Sequence, residues 1–468
     1  MRLDLLSQLE SCSNRSWLWH YSKTNSSQKI DSSSLLYRLA VTKLEQILSR
    51  KDGVSGEYKI VIAETDPIEF LAAFLAGVIT ETNIFLGNPD WQLQEWQQVF
   101  KLVQPDLVFG KLQKQLTIKN QNISNKKIDG DQSLIMIPTG GSSGKIKFAM
   151  HTWLTLAASA KGFQDYFNCQ KINSFCTLPL YHVSGLMQFV RSFLTQGNIV
   201  ICPDKILQTK QINFKPENYF ISLVPTQLQL LIETIPDLLA KFKTVLLGGA
   251  PARRSLLNEA RRYDIPLAPT YGMTETASQI VTLKPQEFLA NNNSSGLVLP
   301  HAKIKINSQN SLDSDNNIGL INIRCNSLCL GYYPHKFIQS QFTTDDLGYL
   351  DNEGYLYLVG RNSQKIITGG ENVFPTEVEA VILNTKLIKD VCVIGISDRI
   401  WGQAVTAVYV PAKLDFDLNI VKEQIKLQLV KYKQPKNWIK VDSLPRNNSG
   451  KINDRQVKAI AELAISNK

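Results

Sequence analysis

Residues Ile137–His151 read IPTGGSSGKIKFAMH, with three glycines, two serines and one threonine set between two apolar runs. Three chemistries compete for this stretch. Gly140-Gly141-Ser142-Ser143-Gly144 matches G-x-S-x-G, the nucleophile elbow of serine hydrolases, which requires a strand, a sharp turn and then a helix. Leu134–Ile137 supplies the strand, but Lys145-Ile146-Lys147-Phe148-Ala149-Met150-His151 alternates polar and apolar residues, which predicts a second strand. A Walker loop requires four residues between its glycines and Ser or Thr after the lysine. Here three residues separate Gly140 from Gly144, and Ile146 follows Lys145. What remains is a β-hairpin with a donor-rich tip. Its glycines allow backbone N–H groups to converge on an anion, and Thr139, Ser142, Ser143, Lys145 and Lys147 add hydroxyls and charge. A plain loop has the same composition, so the tip alone leaves a phosphate grip and an empty turn equally open.

The hairpin sits in a chain of 468 residues, too long for one compact core, so at least two domains are expected. Short β-branched runs alternate with amphipathic ones. Tyr58–Ala63 predicts a strand and Asp66-Pro67 opens a helix through Val78. Strands are expected at Ser174–Leu178, Asn198–Cys202 and Lys243–Leu247, with helices at Val183–Leu194 and Arg253–Tyr263. This alternation predicts an α/β fold of helix-covered parallel sheets, with ligands beyond the carboxyl ends of the strands. From Ala302 to Leu358 short strands and turns suggest a small β-subdomain. After Gly360-Arg361 comes a mixed α+β unit of about one hundred residues. Its helices are expected at Pro375–Leu383 and Asn419–Val430, and its strands at Val391–Ile396, Ala404–Val410 and Trp438–Val441.

Apolar residues make up 43% and charged residues 20%, the balance of a globular protein. Lys and Arg exceed Asp and Glu by 51 to 41, but no basic run or aromatic-interleaved patch accompanies the excess. Nucleic-acid binding is therefore not expected, whereas attraction of small anions is. The seven cysteines are scattered without a CxxC, which suggests reduced thiols and no metal cluster. The N-terminus lacks a signal-peptide core, and Phe70–Thr80 is too short to span a bilayer, so a cytoplasmic protein with a buried helix is expected.

The hairpin tip resembles the phosphate-binding loop of the adenylate-forming acyl-CoA synthetase superfamily, T-S-G-[ST]-T-G-x-P-K, with Gly140 for the serine and Ile146 for the proline. Four further strings follow in the superfamily's order. They are Gly249-Ala250-Pro251; Tyr271-Gly272-Met273-Thr274-Glu275-Thr276; Phe342-Thr343-Thr344-Asp345-Asp346-Leu347-Gly348; and Gly360–Glu379, GRNSQKIITGGENVFPTEVE. Pro445–Lys451 resembles the terminal loop with its lysine. The resemblance implies a large N-terminal domain (1–361), a hinge at Asn362-Ser363 and a mobile C-terminal domain (364–468). It further implies ATP, Mg²⁺ and CoA as reactants alongside a small carboxylic acid. Phosphates would fall to Thr139, Gly140, Gly141, Ser142, Ser143, Gly144 and Lys147, and adenine to Gly249, Ala250, Pro251, Tyr271, Gly272 and Met273. Thr274 would meet the α-phosphate, Glu275 the metal, Asp346 and Arg361 the ribose, and Lys451 the reacting centre. Asp345 stands where the superfamily has glycine, and Gln364 where it often has aspartate.

The acyl pocket is expected around Pro179–Gly185, with His182 on the acyl and thiol path, and around the residues after Thr276. Ala277-Ser278-Gln279-Ile280-Val281-Thr282-Leu283 resembles the corresponding stretch of 2-succinylbenzoate–CoA ligases of menaquinone and phylloquinone synthesis. Polar Ser278 and Gln279 suit a substrate with a second carboxylate or a ketone. The alternatives are a ligase for another aromatic or medium-chain acid, or a free-standing enzyme that loads a carrier protein.

Overall fold

The computed structural model describes residues 2–21, 29–52, 57–110, 133–140, 146–208, 214–307, 318–413, 415–446 and 451–466. The chain forms two compact units. Met1–Gly249, Ala260–Lys303 and Arg324–Phe342 make the first; Ala250–Glu259, Ile304–Ile323 and Thr343–Lys468 make the second.

Two sheets build the first unit. In the nine-stranded sheet, Leu18–Tyr21, Ile199–Ile201, Ser174–Cys176, Phe220–Leu223, Thr244–Leu247 and Leu267–Met273 run parallel in that spatial order. Antiparallel strands extend both edges, with Ser278–Thr282 folding back on Leu267–Met273. The seven-stranded sheet places parallel Leu107–Gly110, Lys59–Ala63, Asn83–Leu86 and Ile135–Gly140 side by side. It continues antiparallel through Ile146–His151, Gly331–Tyr332 and His335–Lys336.

Helices Pro67–Ile79 and Val183–Leu194 share one apolar cluster with Ile60 and Ile84 of one sheet and Leu18 and Ile199 of the other. Helix Pro67–Ile79 starts where Asp66 accepts hydrogen bonds from the amides of Ile68 (2.8 Å) and Glu69 (3.0 Å). Its sequence is apolar all round, and all but Pro67 and Glu69 are buried, as a helix covered on every side requires. Gly77 lets it lie close to the sheet, because a Cβ there would come within 2.8 Å of Ile60 and Ile84. Among the described residues no helix is long and apolar enough to cross a membrane.

In the second unit, Ala302–Asn307, Gly319–Cys325, Phe342–Leu350 and Leu356–Arg361 form a four-stranded sheet, its first and third strands beginning and its second ending in the first unit. A five-stranded sheet centres on Gly402–Pro411, paired with Ile388–Asp398, Ile366–Thr368 and Asn437–Lys440. Helices Pro375–Asn384, Leu418–Lys426 and Asp454–Ser466 cover it, the first two through one apolar cluster and the third through another. The helix expected through Val430 stops at Lys426. Leu427 and Val430 face solvent, and the chain turns there to bury Leu429, whose amide still reaches the Ile425 carbonyl at 2.8 Å.

Candidate active site

The hairpin forms as its alternation predicts: Ile135–Gly140 and Ile146–His151 pair antiparallel, with Thr139 opposite Lys147 and Gly140 opposite Ile146. Gly141, Ser142, Ser143, Gly144 and Lys145 lie outside the described residues. The second hairpin strand also pairs with Gly331–Tyr332, through Ala149 and Tyr332.

Strand Leu267–Met273 ends in Tyr271-Gly272-Met273 and passes into a single 3-10 turn, Thr274–Thr276. Ala277 then takes the left-handed conformation (φ 50°) and Ser278 a φ of 98°, so the chain reverses into strand Ser278–Thr282. Gly272 is required at this reversal, since a Cβ would lie 2.2 Å from the Ser278 carbonyl. Four consecutive carbonyls of the turn are then held from outside it. The Nε2–H of His151 donates to Thr274 O at 2.8 Å, the Cys329 amide to Glu275 O at 2.7 Å, the Ser327 hydroxyl to Thr276 O at 2.8 Å and the Ser159 hydroxyl to Ala277 O at 2.6 Å. Each bond takes one degree of freedom from the segment that carries Thr274 and Glu275.

His151 is fully buried, and burial pushes its imidazole down to about 4, so it is neutral at pH 7. A carbonyl only accepts, which fixes the proton on Nε2 and leaves Nδ1 to accept from the Thr155 hydroxyl at 3.0 Å. Glu275 is buried, and its carboxylate accepts the Tyr332 hydroxyl at 2.5 Å. Burial, and then the Glu275 charge and this bond, push the phenol far above its ordinary value, so it stays a donor. Lys147 Nζ lies 5.3 Å from the centre of the Tyr332 ring. The second hairpin strand thus places a cation beside the tyrosine that holds Glu275.

Gly249 follows strand Thr244–Leu247 with φ +83°, and Tyr271 is buried. Ala250 and Pro251 group with the second unit. His182 occupies the N-terminal boundary of helix Val183–Leu194, its ring 4.7 Å from that of Tyr181, and its carbonyl accepts the Leu186 amide at 2.9 Å.

Ser278 and Gln279 face a side chain that sequence reasoning missed. Arg191, fully buried on helix Val183–Leu194, donates from Nη2 to Ser278 Oγ at 3.0 Å and to Gln279 Oε1 at 2.8 Å. The Ser278 hydroxyl donates in turn to Gln279 Oε1 at 2.7 Å. The acceptors of both polar residues are therefore already engaged. Within this group Arg191 Nε and Gln279 Nε2, both donors, have no hydrogen-bond partner among the described residues, nor do the two ring nitrogens of neighbouring His301. The guanidinium lies 4.3 Å from the Phe163 ring centre, and burial pushes it down to about 9, still charged at neutral pH. His301 beside it is pushed down to about 4, by burial and then by the Arg191 charge. The cluster is cationic and rich in donors. Arg191 is the lone charged residue of its helix sequence, VSGLMQFVRSFL, and that was the signal available.

In the second unit, Asp346 and Arg361 face one another across paired strands, with Arg361 Nε donating to Asp346 Oδ1 at 3.2 Å. The two departures from the family pattern each form a bond. Asp345 accepts the Ser363 amide at 3.1 Å and also its hydroxyl, and Gln364 Nε2 donates to Asp454 at 2.5 Å. Lys451 is exposed, next to Ile452, which bridges to Arg446.

The sequence profile of AMP-binding enzymes matches residues 38–333, and that of the AMP-binding enzyme C-terminal domain matches residues 377–451. Over 333 residues the chain is 35% identical to 2-succinylbenzoate–CoA ligase of Listeria monocytogenes, covering 68% of each protein. The chain belongs to the AMP-binding enzyme family. Among solved structures it is similar to o-succinylbenzoate coenzyme A synthetase of Bacillus subtilis bound to the acyl-adenylate intermediate, at 26% identity, TM-score 0.82 and 97% coverage of both chains. The same B. subtilis enzyme with ATP and magnesium ion gives a TM-score of 0.81 at 26% identity, covering 97% of this chain and 99% of that one.

The fold is therefore that of the adenylate-forming enzymes, a large N-terminal and a small C-terminal domain. The donor set of this family member fits a magnesium ion that arrives with nucleotide. Among the described residues no cluster of three or more His, Cys, Asp or Glu forms a cage. Magnesium instead takes one or two carboxylates and completes its shell with phosphate oxygens and water. A carboxylate of that kind stands at Glu275, held by the Tyr332 hydroxyl.

Proposed function

We propose that this AMP-binding enzyme is an AMP-forming acid–thiol ligase that joins 2-succinylbenzoate to CoA, in the cytoplasm, within menaquinone or phylloquinone synthesis. The observation that carries the choice of acid is the Arg191 cluster: donors and a buried cation suit an acid with a second carboxylate, and the relatives named above carry the same activity in their names.

In the first step a substrate carboxylate oxygen attacks the α-phosphorus of ATP, the bond to the pyrophosphate oxygen breaks, and an acyl-adenylate forms. Nucleophile and electrophile are both anionic, so positioning and neutralisation carry the catalysis. Lys451 and Lys147 supply positive charge, Thr274 a hydroxyl donor on the pinned turn, and Glu275 the carboxylate for Mg²⁺, which when bound neutralises phosphate charge. The tip 140–144 grips the phosphates, Tyr271 and Gly249–Pro251 line the adenine, and Asp346 with Arg361 takes the ribose. In the second step the sulfur of CoA attacks the acyl carbon, AMP leaves with the bonding electrons, and the thiol proton is lost. His182 borders that path. The domains divide as 1–361 and 364–468, and the C-terminal domain turns at Asn362-Ser363 between the steps.

Pyrophosphate release with ATP and Mg²⁺ tests the reading, comparing 2-succinylbenzoate with benzoate, 4-coumarate and octanoate, then adding CoA, with Lys451→Ala as control. Release with succinylbenzoate alone, followed by CoA consumption and absent from the variant, is the expected result. Preference for another acid overturns the substrate, and an active Lys451→Ala overturns the role of the lysine.

A further inference from the structure

Asp390 lies near the start of strand Ile388–Asp398, and two guanidinium groups share its carboxylate. Arg446 Nη2 donates to Oδ2 at 2.5 Å. Arg253 Nη2 donates to Oδ1, and its Nη1 reaches the Lys389 carbonyl at 2.9 Å, so Arg253 grips the strand at two points. The Val391 amide adds a third donor to the carboxylate, at 3.1 Å.

The two arginines come from segments with different duties. Arg446 pairs with Ile452 in an antiparallel bridge, and the Asn453 amide donates to the Pro445 carbonyl at 2.9 Å. Lys451 is therefore tied to Arg446 by the backbone on its far side. Arg253 lies two residues after Pro251, at the entry to helix Arg254–Arg262, and its carbonyl accepts the Leu257 amide at 3.1 Å. One carboxylate thus links the segment behind the adenine residues to the base of the lysine segment.

We propose that Asp390 is a positioning residue whose clasp on Arg253 and Arg446 sets Lys451 for adenylate formation and opens before thiol transfer. The proposal rests on the role given to Lys451 above. A turn at Asn362-Ser363 carries Asp390 and Arg446 together and leaves Arg253 behind, so only the Arg253 arm has to break. That arm is built to break. Side-chain exposure is 41% for Arg253 and 17% for Asp390, so water can take the place of the carboxylate at the guanidinium, while Arg446 keeps Asp390 paired. An ion pair of this kind biases an equilibrium between two arrangements without locking it.

The test separates the half-reactions in the full chain. ATP–pyrophosphate exchange with 2-succinylbenzoate reports the first, and AMP release when CoA meets synthetic 2-succinylbenzoyl-adenylate reports the second. Arg253→Gln should lower exchange about fivefold, the worth of one partly exposed ion pair, and leave AMP release unchanged or faster. Added salt should slow exchange in the parent protein more than in Arg253→Gln. Asp390→Asn should act like Arg253→Gln, and Asp390→Glu should restore part of the loss. Equal losses in both half-reactions, or the same salt dependence in parent and variant, overturn the clasp. So does an unchanged exchange rate in Arg253→Gln while Lys451→Ala is inactive, which leaves the role of Lys451 standing. Normal exchange in Lys451→Ala overturns both.

Discussion

Glu379 offers a stability switch whose size follows from its surroundings. The residue lies on helix Pro375–Asn384 and keeps some surface exposed, but its carboxyl is enclosed and accepts the Val393 amide at 2.7 Å. Burial pushes the carboxyl from 4.5 up to about 7; the Val393 bond and Arg253 oppose the shift, while the charges of Asp454 and Asp390 add to it. Between those two values the native protein holds a proton that the unfolded chain has released. The native state then binds more protons, so stability is greatest below the unfolded value and falls as pH rises through about 7. The gap of roughly 2.5 pH units, at about 1.4 kcal/mol each, sets an upper bound of about 3 to 4 kcal/mol on the loss. Glu379→Gln keeps the acceptor for Val393 and cannot ionise. Urea unfolding at pH 5, 6, 7 and 8 should find parent and variant nearly equal at pH 5, with the variant more stable by up to about 3 kcal/mol at pH 8. A gap that stays constant with pH, or a parent more stable at pH 8, refutes the reasoning.

Tyr332→Phe removes the hydroxyl that holds Glu275 and keeps the ring beside Lys147. A lost hydrogen bond to a charged acceptor costs about 1.5–3 kcal/mol, so pyrophosphate exchange should fall roughly ten- to a hundredfold, and unaltered exchange would remove Tyr332 from the site. Arg191→Met should raise the KM for 2-succinylbenzoate roughly tenfold or more while benzoate is affected little, and the melting temperature should not fall, because a buried unpaired charge is gone. Equal losses with both acids would show that Arg191 supports the fold and does not meet the substrate.

Much of the fold was legible because its signals are local. Alternation in Lys145–His151 was enough to make a strand and so to reject the hydrolase elbow, and the second strand starts at Ile146. Asp66-Pro67 opened a helix because an N-cap and a fixed φ act within one turn. Helix Leu418–Lys426 was less legible, since the choice between burying Leu427 and burying Leu429 is made by neighbours far along the chain.

The sequence by itself determined the order of strands and helices and the strings that carry the family's chemistry, because periodicity and short motifs live within a few residues. Only the tertiary structure decided what those residues touch. Tyr332 meets Glu275 from 57 residues away, Arg191 meets Gln279 from 88, and His151 meets the Thr274 carbonyl from 123. None of these pairs has a local signal. Each forms because separate strands and helices pack together and bury polar groups that must then find partners, and that demand exists only once the chain has folded.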